Sequence, residues 1–244
     1  MNVHKNSYFA DRFLDDSYSE ETRRHVTTLT IARLTSNACF RYAPPFLASI
    51  SDDFQISLSR LGLALMITEI AMGISPVLGR FVDRMHRRTA MAGGLLAISG
   101  AATIAAASPS VWIFVLGMLL IAVAKFIFDI GLASWVNDHV EYEKRGRVIG
   151  FTETSWALGL LIGVTAMGLV ASATSWRWGY AVGAISVAIM AIVVMTRLDG
   201  HDVAGSQRSK DTTKYPMPRN GYWIFAAMFF LMAASQTLFV TFGS

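Results

Sequence analysis

Gly79-Arg80-Phe81-Val82-Asp83-Arg84-Met85-His86-Arg87-Arg88 is the stretch on which the reading of the fold turns. Four arginines, one aspartate and one histidine fall within these ten residues, between two apolar runs that hold almost no charge. A loop this short between runs of membrane-spanning length has to be a tight turn at a bilayer surface, and its arginine excess assigns that surface to the cytoplasm.

Composition agrees with a membrane setting. Of 244 residues, 53% are apolar and 16% charged, with a positive mean hydropathy, which argues against a soluble domain. Apolar runs of about 18 or more residues recur, the length a helix needs to cross a bilayer core of roughly 30 Å. The net charge of +4 sits mostly in short loops, where it orients helices and does not point to a nucleic-acid partner. Cys39 is the one cysteine; it cannot form an intrachain disulfide and reads as a small buried packing residue. Residues 1–25 mix both charge signs and lack an apolar core, so no cleavable signal peptide is expected and the first spanning helix is expected to act as insertion signal.

Outward from the turn, the hydropathy pattern predicts an all-α membrane protein. Residues 1–25 read as a cytoplasmic arm, 26–198 as six transmembrane helices, 199–220 as a cytoplasmic linker and 221–244 as a seventh transmembrane helix. Predicted helix 1 spans Val26 to Ile50 and includes Pro44-Pro45, and helix 2 spans Ser57 to Leu78. Helix 3 runs from Thr89 to Ala107, where Ser108-Pro109-Ser110 breaks the pattern. Helix 4 runs from Val111 to Val136, a polar loop covers Asn137 to Arg147, helix 5 covers Val148 to Ala171 and helix 6 covers Gly179 to Met195. The arm, the turn after helix 2, the loop after helix 4 and the polar stretch from Arg197 to Asn220 hold sixteen of the twenty-one lysines and arginines, whereas the opposite loops hold Arg60 and Arg177. That asymmetry puts the amino terminus inside the cell.

Six charged residues are expected within the bilayer: Arg33, Arg41, Glu69, Lys125, Asp129 and Glu153. A charge at bilayer mid-depth costs about 2.5–3.5 kcal/mol on insertion scales, so such residues face a protein interior or water. They fall on predicted helices 1, 2, 4 and 5, and helices 3 and 6 carry none. This is the pattern of two three-helix repeats around a polar cavity, the third helix of each packed outside. Arg33, Asn37 and Arg41, spaced by four, form one polar stripe. Lys125 and Asp129, also four apart, are placed to pair. Glu69 lies near mid-depth, where a carboxylate cannot reach water, and its expected partner is Arg41 or Arg33. Gly159 with Gly163, and Gly179 with Gly183, have the spacing of close helix packing. No phosphate-binding glycine loop, zinc-binding His-Glu-x-x-His, nucleophile elbow or Cys-x-x-Cys is present, so no enzyme activity, cofactor or metal is expected.

The turn at 79–88 resembles the signature loop of the major facilitator superfamily: glycine, any residue, apolar, small, aspartate, basic, any, glycine, basic, basic. Gly79, Phe81, Asp83, Arg84, Arg87 and Arg88 match, and His86 stands where the family has glycine. Gly159, Gly163 and Gly168 match a second stretch on helix 5 of the family's antiporters, with Val164 in place of its proline. The resemblance covers residues 26–244 and implies the amino-terminal half of a twelve-helix transporter plus helix 7. It implies that Asp83 sits against a helix end of the opposite half and helps hold the outward-facing state, and that helix 7 contributes Ser235, Gln236 and Thr237 to the cavity. The expected activity is secondary active, proton-coupled transport of a small polar or anionic solute in the cell membrane. Arg33, Asn37, Arg41 and Gln236 are the expected solute contacts, and Glu69, Asp129 and Glu153 the expected proton carriers. The end at Phe242-Gly243-Ser244, with no loop after it, leads to the alternative expectation of a truncated protein or a half-module that works with a second chain.

Overall fold

The computed structural model describes residues 13–15, 17–71, 82, 85–198, 223 and 227. The chain divides into two units, residues 1–204 and 205–244. In the second unit the described residues are Trp223 and Ala227, both helical. Among the described residues of the first, every regular element is helical: α1 (Glu20–Arg41), α2 (Leu47–Asp53), α3 (Leu58–Ala71), α4 (Arg87–Ala106), α5 (Val111–His139), α6 (Tyr142–Ala173) and α7 (Trp176–Arg197). Each of α4 to α7 is long and apolar enough to cross a membrane.

The apolar runs set the helices, and polar residues at their ends set lengths that hydropathy does not report. The first helix begins at Glu20, six residues before the expected Val26, because Ser19 caps it by accepting from the Thr22 amide at 3.1 Å and Glu20 and Glu21 occupy its positive end. It does not run on to Ile50. Pro44 and Pro45 lack the amide hydrogens a continuing helix needs, so a 3-10 turn at Pro44–Phe46 separates α1 from the short α2. The expected loop Asn137 to Arg147 contracts to Val140 and Glu141, and the polar residues Tyr142 to Arg147 form the first turns of α6. Expected helices 3, 4 and 6 correspond to α4, α5 and α7. Of expected helix 2, Leu58–Ala71 is seen as α3, and the rest lies outside the described residues.

Small residues let the helices approach. A Cβ on Gly94 would stand 2.9 Å from the Phe128 amide nitrogen, and one on Gly117 would stand 3.0 Å from that of Ala105, which seats α4 against α5 backbone to backbone. Helices α4 and α7, whose charges lie only in their end turns, also pack together, and the Ser99 hydroxyl donates to the Ala184 carbonyl at 2.8 Å. Gly179 and Gly183 of α7 make room for Tyr42 and for Met167 and Cys39.

Each end of the bundle is tied by side chains. Where α2 and α4 end and α7 begins, Arg177 donates to Ser108 O at 2.6 Å and Ala106 O at 3.1 Å, pairs with Asp53 at 2.7 Å and lies 4.5 Å from the Trp176 ring centroid. At the other end the segment before α1 lies on α6. Phe13 and Phe151 rings are 5.3 Å apart, Tyr18 Oη donates to Lys144 O at 3.1 Å, and Arg147 pairs with Asp15 at 2.6 Å.

Candidate functional site

Helices α1, α5 and α6 meet around a cluster of charges. What brings α6 onto α1 is glycine: a Cβ on Gly159 would stand 3.0 Å from Asn37 Cβ and 3.2 Å from Leu34 O, and one on Gly163 would collide with Ala38. Between these glycines the backbone widens into a π turn at Gly159–Val164. About one and two helical turns before it, α6 presents Trp156 and Glu153 towards the polar stripe of α1.

Arg33 is the hub. Its Nη1 donates to Glu153 Oε1 at 2.6 Å and its Nε to Asp129 Oδ1 at 3.3 Å. The other Asp129 oxygen accepts from Lys125 Nζ at 2.6 Å, the i, i+4 pair that the spacing predicts. Two cations and two carboxylates from three helices thus form one chain, Lys125–Asp129–Arg33–Glu153. Its two ends differ in burial: the Lys125 side chain is 5% exposed and Glu153 50%, with Asp129 at 25% and Arg33 at 11% between them. One end of the chain is sealed in protein and the other is open. In a low-dielectric setting each charge is tolerated because the next compensates it, and removal of Asp129 strands the buried Lys125.

Arg41 lies two turns further along α1. Its guanidinium sits 5.1 Å from the Trp156 ring centroid, and Lys125 Nζ lies 5.4 Å from the same centroid. Trp156 therefore connects Arg41 to the buried end of the charge chain, a role that no spacing rule indicates. Asn37, the middle of the stripe, is 1% exposed and donates from Nδ2 to Ser155 Oγ at 3.1 Å. It is packed into the α1–α6 interface.

Glu69 lies on α3, and its side chain is outside the described residues, as are Gly79, Asp83, Arg84 and Gln236. Of the signature turn, Arg87 Nε donates to Asp138 Oδ2 at 2.9 Å and Arg88 Nη1 to Leu198 O at 3.1 Å, which ties the start of α4 to the ends of α5 and α7. Asp138 was hidden in a stretch that reads as loop from sequence. A separate cavity of about 470 Å³ is lined by Ile56, Arg60, Leu63, Ala64, Val111 and Trp112. At 1.5 Å per residue Trp112 is about 20 Å along α5 from Lys125, so this cavity is not the charged site. Among the described residues no group of three or more His, Cys, Asp or Glu side chains could hold a metal ion.

Comparison with known proteins adds the following. A family model described as "Major Facilitator Superfamily" matches residues 29–244. The chain is 28% identical over 137 residues to "Uncharacterized MFS-type transporter YwfA" of Bacillus subtilis (strain 168), covering 56% of this chain and 33% of that protein. It is 28% identical over 172 residues to "Putative uncharacterized transporter YgaY" of Escherichia coli (strain K12), covering 69% of this chain and 43% of that one. Among solved structures, a bacterial homolog of the human lysosomal transporter Spinster, inward-facing and unoccupied, superposes with a TM-score of 0.65 at 15% identity, over 84% of this chain and 48% of that one. The chain spans less than half the length of each of these proteins.

Proposed function

This chain belongs to the major facilitator superfamily, and from that premise we propose that it forms half of the translocation pathway of a proton-coupled secondary transporter for a small polar or anionic solute. The observation that carries the reading is Arg33 shared between Asp129 and Glu153. A cation held by two carboxylates on two different helices can be released in steps. A proton on Glu153 cancels its charge and loosens Arg33 from α6; a proton on Asp129 loosens Arg33 and Lys125 together. Each step leaves a cation able to receive an anionic or polar group of the solute, so proton uptake and solute binding draw on the same pairs. Arg41 extends the cationic surface, and Glu69 and Gln236 are proposed to complete it. The signature turn, with Asp83 and Arg84, is proposed to hold one of the two access states. In this account the protein is a multi-pass protein of the plasma or inner membrane with its amino terminus in the cytoplasm.

The shares of 33–48% of its relatives' lengths favour a second reading. In it these helices are a half-module, silent alone and active only when a second bundle closes the cavity.

Proton-driven flux in proteoliposomes separates these readings. An imposed pH gradient should drive solute movement in the native chain, and Glu153→Gln should abolish the dependence on that gradient. Flux that stays gradient-dependent in Glu153→Gln removes Glu153 from coupling, and absence of flux until a partner bundle is added supports the half-module.

A further inference from the structure

Lys125 is 4% exposed although its α5 neighbour Asp129 reaches the open part of the charge chain. What closes over the ammonium group is aromatic: the Trp156 centroid at 5.4 Å and the Phe128 centroid at 5.9 Å. Phe128 is fully buried and stays where the core holds it. Trp156 is only partly buried, on α6 just before the π turn. Arg41, a cation from α1, also lies over its ring, at 5.1 Å from the centroid. A ring that faces a buried pair and is itself held by a cation has two roles to play at once.

We propose that Trp156 is a positioning residue that shuts the Lys125 ammonium off from water, and that Arg41 latches it by lying over its indole. The inference rests on the reading of the charge chain as the transport site and supplies the link between solute and proton that the reading needs. An anionic group drawn to Arg41 competes with the indole for the guanidinium, because a formal negative charge attracts it more strongly than a ring quadrupole. Once Arg41 moves, the ring loses a restraint, turns about its side-chain bonds and opens the Lys125 side of the pair to water and protons. With no solute at Arg41 the ring stays down and Lys125 stays dry. No bond forms or breaks in the step; only the hydration of Lys125 changes.

The test needs no solute. The full chain in lipid nanodiscs is treated with formaldehyde and cyanoborohydride, and methylation of Lys125 and Lys144 is followed peptide by peptide. Lys144 is half-buried and serves as internal reference. Lys125 in the native chain should react far more slowly than Lys144. Arg41→Gln should raise the Lys125 rate roughly tenfold, the scale of one lost desolvated cation–π contact, with Lys144 unchanged. In a Trp156→Leu background Arg41→Gln should add nothing, and Trp156→Phe, which keeps a π face, should keep both the protection and its dependence on Arg41. If Arg41→Gln leaves Lys125 protected in the native background, or accelerates it equally with and without the aromatic ring, the latch is refuted. That outcome leaves the flux reading standing, since the Glu153→Gln assay is read independently.

Discussion

Arg33 of α1 donates from Nη1 to Oε1 of Glu153 on α6 at 2.6 Å, across 120 positions of sequence. The same guanidinium donates from Nε to Asp129, so its flat fork joins α1 to two other helices at once.

Arg33→Gln should therefore destabilise the bundle by about 2 kcal/mol, below the roughly 3–5 kcal/mol of a fully buried pair because Glu153 is half exposed. Arg33→Lys should recover only part of this, since one ammonium cannot serve both carboxylates in the geometry of a fork. Thermal or denaturant unfolding in detergent measures both. A variant as stable as the native chain would remove Arg33 from the hub position.

Lys125 and Asp129 should behave as a unit. Asp129→Asn leaves an ammonium in a site 5% exposed and should cost about 3 kcal/mol. Lys125→Met combined with Asp129→Leu should cost less than Asp129→Asn alone, because no charge is then stranded. A double-mutant cycle with purely additive costs would contradict the pairing.

The glycines of α6 and α4 give a contrast within one protein. Gly163→Ala puts a Cβ into Ala38 and should destabilise by roughly 1–3 kcal/mol, whereas Gly93→Ala meets nothing within 4 Å and should be neutral or slightly stabilising through helix propensity. Equal unfolding midpoints for the two variants would show that α1 and α6 do not approach as described.

Much of this fold is legible in the sequence, and the gaps have physical causes. Apolar runs locate α4, α5 and α7 because burial and lipid demand the same residues there. Hydropathy is silent about Glu20 to His25 and Tyr142 to Arg147, where polar residues continue a helix past its apolar part. Pro44-Pro45 is visible as a breaker, yet an apolar setting on both sides invites a single helix across it. The site divides the same way. Lys125 with Asp129 is local, and its spacing reveals it. Arg33 with Asp129 and Glu153 is not, because which helices touch depends on contacts such as Gly163 on Ala38. Arg33 was a candidate partner for Glu69; its guanidinium is bound by Asp129 and Glu153, while the Glu69 side chain lies outside the described residues. Trp156 reads as one more apolar residue until the cations around it are seen.

The segment before α1 supplies a pH signature. The Ser17 hydroxyl, then the Arg147 guanidinium, hold the Asp15 carboxyl below its ordinary value of 3.8. A lowered folded-state pKa means that the contact is complete above 3.8 and is lost as pH falls below it. Carboxyl carbon-13 NMR should place the Asp15 midpoint below 3.8 and move it back towards that value in Arg147→Gln. A native midpoint at or above 3.8 would show that Asp15 is not engaged.

The central claim is that the charge chain opens onto water inside the membrane and does not face lipid. Its most direct test is the reactivity of a single thiol at Glu153 in the membrane-embedded protein, with Cys39 replaced by serine. The Glu153→Cys thiol should react with a charged, water-soluble methanethiosulfonate, and an Ile185→Cys thiol, on an exposed apolar position of α7, should not. A Glu153→Cys thiol as inert as the Ile185→Cys control would place the charge chain away from water and end the transport reading.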